Sequence, residues 1–234
     1  MPLAAAPFSG RAARFGLWSL PVYGVLLGLS TLSHQPPIED FDAYARYVTT
    51  DAFLISHLGA SVFGAAMAIL GAVAVTAYVV QGRAARTVVI GLVLTTITNV
   101  FLSAAFGSAS FVQPGIGRAY LNGVPGMPAL NDDTAYGAAL IATAATSILM
   151  LIIAATIIGV AIARTDRRLR WHGTAYAVLL SAFALSGPLL ESMQPIAGFA
   201  FAAATAALAI RLPQVMAPAP SREDASRSRS RADA

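Results

Sequence analysis

The chain has 234 residues, 57% hydrophobic and 11% charged, with mean hydropathy +0.69, net charge +4 and no cysteine. A water-soluble domain carries about 25% charged residues, so this composition argues against a single soluble core, and the lack of thiols excludes disulfides, thiolate catalysis, iron–sulfur clusters and cysteine-ligated zinc. The basicity (pI ≈ 9.8) is all arginine and lies in short segments beside apolar stretches, a pattern that points to topology signals and anionic lipid, not to nucleic acid.

Six stretches are long and apolar enough to cross a bilayer, whose hydrocarbon core of roughly 30 Å needs about 20 residues of helix. They predict an all-α polytopic bundle of six transmembrane helices over residues 15–33, 52–80, 87–111, 134–163, 171–190 and 195–212. Residues 1–14 bring Arg11 and Arg14 to the start of the first. Arginines before an apolar run and small residues after it (Thr31, Ser33) also fit a cleaved signal peptide, but Pro21 and the length of the run favour a retained span. Gly24 and Gly28 form a GxxxG pair there, a spacing that lets helix backbones approach and suits a compact bundle or an oligomer.

After His34-Gln35-Pro36-Pro37, the residues Ile38, Phe41, Ala45 and Val48 recur at helical spacing, with Glu39, Asp42 and Arg46 on other faces. Pro37 suits a first helical turn. The expectation is a short amphipathic helix at the outer interface, lying over the helix ends with Tyr44 and Tyr47 at headgroup level. Thr49-Thr50-Asp51 then offers an N-cap for the second span.

His57 lies one to two turns inside that span, where ionisable residues usually face the bundle interior or a watery cavity. Its imidazole is placed to relay protons or hold a cation with Asp51, Glu191 or Asp132, or simply to bond to a neighbouring helix as a neutral ring. Ala60, Gly64 and Ala68 give this span a small-residue face. In the third span Thr95, Asn99 and Ser103 stand at i, i+4 and i+8 and form a polar stripe near mid-membrane. The Asn99 amide must find partners there, since hydrocarbon offers none, and Thr143, Thr146 and Ser147 of the fourth span are the expected mates.

Residues 111–133 hold Pro114, Gly115, Gly117, Gly123, Pro125, Gly126 and Pro128, which predicts an irregular outer loop. Asn131, Asp132 or Asp133 is then the expected cap of the fourth span. That span ends in the densest basic cluster, Arg164, Arg167, Arg168 and Arg170. The last two spans are short, joined by Glu191-Ser192-Met193-Gln194, and also admit a re-entrant hairpin; Gly187-Pro188 is placed to break the first of them near Glu191. Residues 214–234 read as a disordered Arg-rich tail.

With both termini in the cytoplasm, thirteen of the fifteen arginines fall inside and only Arg46 and Arg118 outside. The acidic residues Glu39, Asp40, Asp42, Asp51, Asp132, Asp133 and Glu191 face out. The positive-inside rule therefore favours six helices, N-in and C-in. An Ala-rich chain with arginine as its only lysine-type cation suggests a GC-rich bacterial genome, hence a bacterial cytoplasmic membrane with anionic lipid at the inner face.

His172 is expected at the opposite face from His34 and His57, a poor arrangement for haem ligation, and no phosphate loop, nucleophile elbow or HExxH site is present. The expectation is a non-enzymatic membrane-embedded accessory or binding protein without a cofactor, able to form homo- or hetero-oligomers through its small-residue faces. The alternative is a transporter or channel for a small solute, proton or cation, its outward vestibule formed by His57, Asp51, Asn99, Glu191, Thr95 and Ser103. The feature that bears most on this choice is whether a cavity joins His57 to Asn99: the accessory reading expects the intramembrane polar residues to be paired with no continuous cavity reaching mid-bilayer, and the transport reading expects such a cavity.

Overall fold

A computed structural model describes residues 10–216, apart from the side chains of Pro188 and Glu191. These residues form eight helical segments: α1 (Gly10–Ser30), α2 (Phe41–Val48), α3 (Asp51–Val79), α4 (Ala85–Leu121), α5 (Met127–Thr134), α6 (Ala138–Thr165), α7 (Arg170–Leu189) and α8 (Gln194–Met216). The tail expected to be disordered falls, from residue 217 onward, outside the described residues; residues 214–216 belong to α8.

Five helices, α1, α3, α4, α6 and α8, are long and apolar enough to cross a membrane. Only 33–44% of their most apolar windows is buried, so each presents apolar surface outward. That distribution suits lipid, where such a face costs nothing, and would be a large exposed patch in water. The sixth expected span, α7, is long enough at 20 residues but less apolar than the other five, because it opens on Arg170-Trp171-His172-Gly173-Thr174.

The long helices run back and forth, which gives the bundle two unlike ends. One carries the start of α1, the α3–α4 turn, the α6–α7 turn and the end of α8, and holds Arg11, Arg14, Arg83, Arg86, Arg164, Arg167, Arg168, Arg170 and Arg211. The other, the lid end, carries α2 and α5. The arginine-end half is a dry aliphatic core, in which Leu17, Leu20, Val75, Val79, Val88, Ile158, Ile162, Leu208 and Leu212 are all at most 1% exposed.

Two glycine contacts set the helix spacing. A Cβ on Gly24 would stand 2.6 Å from the Ala202 backbone nitrogen, and one on Gly198 would stand 2.6 Å from that of Gly28. The GxxxG face of α1 is therefore occupied by α8 of the same chain. Gly159 and Gly173 make the same kind of backbone-to-backbone contact between α6 and α7. Within α1 the helix is interrupted at Trp18. Pro21, three residues on, has no N–H to give the Leu17 carbonyl, so the regular ladder lapses there.

The lid end departs from expectation in three places. First, residues 111–121 are not loop: α4 runs through Pro114 to Leu121, and α5 follows after a short turn in which Gly123 and Gly126 take φ of 81° and 80°. Packing overrides local punctuation here. Gly117 lets α2 lie against α4, where a Cβ would sit 2.8 Å from Val48 Cγ2, while Ile116 and Tyr120 pack on the α2 cluster of Phe41, Tyr44, Ala45 and Val48. Second, α6 is entered from Gly137, and Asn131 lies inside α5. Third, α2 begins at Phe41, capped by Asp40 Oδ1 accepting from the Ala43 N–H at 3.1 Å, and Pro37 belongs to the preceding turn. The Thr50 cap of α3 forms as expected, its Oγ1 accepting from the Phe53 N–H at 3.2 Å.

Tyr44 is fully buried and faces inward, not toward a headgroup layer; Tyr47 is half-buried. The Tyr44 hydroxyl donates to Asn131 Oδ1 at 3.3 Å and so ties α2 to α5. Burial, with Tyr136 alongside, raises its pKa well above the ordinary 10.0. The folded state thus holds a proton that the unfolded chain releases near pH 10. Its contribution is complete below that pH and is lost as pH rises beyond it. Limited proteolysis of the lid should accelerate at alkaline pH, and Tyr44→Phe should flatten that alkaline rise while costing about 1 kcal/mol at neutral pH, where Asn131 loses its donor.

Candidate functional site

Between the lid and the aliphatic core lies a cavity of about 430 Å³, within the range that holds a drug-sized molecule. Its wall takes residues from α1, α3, α4, α6, α7 and α8 and from the α1–α2 link. His57 and Asn99 are both in this wall, so one space does join them. Asn99 stands about 21 Å along α4 from the arginine end, at about 1.5 Å per residue, which places the deep part of the cavity mid-bundle.

His57 is held by its own helix. Its ring stacks on Phe53 with centroids 4.0 Å apart, and Nδ1 lies 3.0 Å from the Phe53 carbonyl oxygen. A carbonyl only accepts, so this bond puts the ring proton on Nδ1 and leaves Nε2 as an acceptor. Ser56 donates to the same carbonyl at 2.9 Å, which fixes its hydroxyl beside the imidazole. From Leu58 to Gly64 the helix is wound as a π-helix, the wider turn that carries Ala60 and Ser61 into the wall. Such turns are rare and recur at functional sites. One consequence is a link to α4: the Ser103 hydroxyl donates to the Ser61 carbonyl at 2.7 Å.

Asn99 is 1% exposed, and its Nδ2 donates to the Thr95 carbonyl of its own helix at 2.8 Å. Its Oδ1 is buried and has no donor among the described residues. The expected mates from α6 do not meet it. Thr98 donates across to the Ser147 carbonyl at 2.6 Å, while the Thr143 and Ser147 hydroxyls bond within α6 and Thr146 is exposed.

No known protein family, curated protein or solved structure matches the chain. What the cavity can bind is read from its wall alone. Among the described residues that wall has no carboxylate and no guanidinium, and most of it is apolar, from Leu27, Leu102, Phe106, Ile148, Leu151 and Phe183. The polar contribution is Tyr23, His57, Asn99, Ser30, Thr31, Ser56, Ser61, Gln35 and Gln194. Gln35 Nε2 is engaged, donating to the Tyr136 hydroxyl at 2.7 Å and tying the α1–α2 link to the lid.

Of the six residues expected in a vestibule, His57 and Asn99 line this cavity. Thr95 is buried one turn below Asn99, and Ser103 is spent on the link to Ser61; neither is in the wall. Asp51 is exposed at the start of α3, and among the described residues neither it nor Asp132 bonds to His57. Glu191 opens the turn before α8, its side chain outside the described residues. No group of three or more His, Asp or Glu suited to a metal ion occurs among the described residues. Ser56 adjoins His57 in sequence and is readable from that, whereas Ser61 reaches the wall through the π-turn, Gln35 comes from the α1–α2 link and Gln194 is the first residue of α8, positions that no periodicity marks.

Proposed function

We propose that this is an integral membrane protein that binds one small, neutral, largely apolar molecule bearing a hydroxyl or N–H donor, and holds it without converting it. The observation that carries this reading is one largely apolar cavity whose wall holds both His57 and Asn99, each with a polar atom left unbonded among the described residues, His57 Nε2 and Asn99 Oδ1. Buried polar atoms are nearly always satisfied, so an occupant that supplies donors completes the wall. A cation would ask for a carboxylate, and among the described residues the wall has none, which supports a neutral molecule. Positive-inside counting supports six crossings with the lid facing out and both termini in the cytoplasm, α7 crossing in the shelter of α6 and α8.

Ala60 stands in the wall without a bulky side chain, so Ala60→Phe should fill the space. Organic extracts of purified wild-type protein should contain a small molecule, detected by mass spectrometry, that extracts of Ala60→Phe lack, with helical content unchanged in both. Identical extracts would sink the binding reading.

The π-helical turn favours a second reading, transport of the same molecule. A π-turn that relaxes to α shifts its register by one residue and repacks the wall. Transport further requires the aliphatic layer at the arginine end to part, so flux across proteoliposomes that continues with that layer cross-linked would remove this reading.

A further inference from the structure

A second recess, of about 470 Å³, lies at the α6–α7 turn, lined by Val160, Ala163, Arg164, Asp166, Arg167 and Arg170. We propose that it is a binding site for the phosphate of an anionic membrane lipid. The proposal rests on the membrane placement above and is independent of what fills the cavity near His57.

The chain path assembles this site. α6 ends at Thr165, Asp166 takes an extended backbone (φ −152°, ψ 150°), and a 3-10 turn at Arg167–Leu169 leads into the antiparallel α7. Arg164 closes one helix, Arg167 sits in the turn and Arg170 opens the next, so three guanidiniums from three local structures share one recess. The neighbouring Arg168 is exposed and is not in its lining. Just beneath, α6 and α7 are in backbone contact: a Cβ on Gly173 would stand 2.6 Å from the Ala163 nitrogen. That contact fixes the spacing of the two helix ends and hence of Arg164 and Arg170.

Charge and depth both suit a lipid headgroup. Among the described residues none of the three guanidiniums is paired with a carboxylate. Asp166 is engaged locally, its Oδ1 accepting from the Arg168 N–H at 2.7 Å, and leaves an excess of two positive charges. Val160 and Ala163 give the recess an apolar side for the glycerol and upper acyl chain. Trp171, 82% exposed in the same turn, marks the interfacial level at which lipid phosphates lie. Arginine's planar fork suits phosphate oxygens better than a point charge does.

The test uses full-length protein in nanodiscs of phosphatidylcholine with a minor fraction of phosphatidylglycerol, the retained lipid being counted by native mass spectrometry. Wild type is expected to retain phosphatidylglycerol preferentially. Arg164→Gln, Arg167→Gln and Arg170→Gln should each reduce that preference well beyond the roughly fivefold loss that removing any one interfacial cation brings. Arg168→Gln, which removes the same charge from the same turn, should lower it by no more than that roughly fivefold. If Arg168→Gln matches the other three, the attraction is diffuse charge and the site is overturned. Inorganic phosphate or glycerol phosphate that displaces the lipid at equal concentration would reassign the recess to free phosphate. Failure to enter phosphatidylcholine nanodiscs at all would remove the membrane placement and this site with it.

Discussion

Gly173→Leu is expected to cost the protein more stability than any substitution of an outward-facing residue, at or beyond the upper end of the 1–3 kcal/mol usual for overpacking. A side chain at Gly173 runs into backbone, the Gly159 carbonyl and the Ala163 nitrogen, and neither can rotate aside as a side-chain tip would. Relief comes only from moving α6 and α7 apart, which opens the buried face around Ile158 and Ile162. Thermal unfolding in detergent should show a clear loss. Gly115→Ala is the matched control: nothing lies within 4 Å of a Cβ there, so it should be neutral or gain up to about 1 kcal/mol from a stiffer unfolded chain. Equal effects from the two would refute the close-approach account.

Asn99→Leu should separate function from stability. Leucine is close in size to asparagine and removes an acceptor, Oδ1, that lacks a donor in a buried setting. Among the described residues the only bond lost is Nδ2 to the Thr95 carbonyl. An unsatisfied buried polar atom costs about 1–3 kcal/mol and one neutral hydrogen bond contributes about 1 kcal/mol, so, with both proteins stripped of the bound molecule, the variant is expected to be as stable as wild type or about 1 kcal/mol more stable. The same change removes Asn99 Oδ1 from the cavity wall and should abolish retention of the small molecule. A destabilised variant that still retains it would make Asn99 a structural residue and leave the anchoring to His57 and the other polar residues of the wall.

How far the sequence carried can be judged residue by residue. His57 and Asn99 were singled out as polar groups in otherwise apolar helices, a signal that depends only on composition and position, and both line the cavity. Thr95 and Ser103 share a stripe with Asn99 yet lie outside the wall, because a stripe names one face of a helix and not which neighbour it meets. The α6 partners expected for Asn99 fail for the same reason: it is Thr98 that bonds across to α6. The π-turn at Leu58–Gly64 changes the facing of α3 partway along, and no residue spacing announced it.

At the lid, glycines and prolines in residues 111–133 point to loop, and Gly123, Pro125 and Gly126 do lie in a turn. Pro114, Gly115 and Gly117 are absorbed by α4, whose packing on α2 outweighs their local preference, and Pro128 sits in the first turn of α5, where proline is tolerated.

The sequence by itself determined that the chain is helical, that its helices are long and apolar enough for a bilayer, and that its charge divides unequally between the turns. Length, hydropathy and charge add up along the chain and need no knowledge of neighbours. The tertiary structure alone decided that the GxxxG face of α1 is spent on α8, that Tyr44 turns inward to Asn131, that three arginines converge at one turn, and that a cavity opens between His57 and Asn99. Those depend on how each helix is rotated and where pairs of backbones cross, which is set by side chains far apart in sequence meeting in the packed bundle.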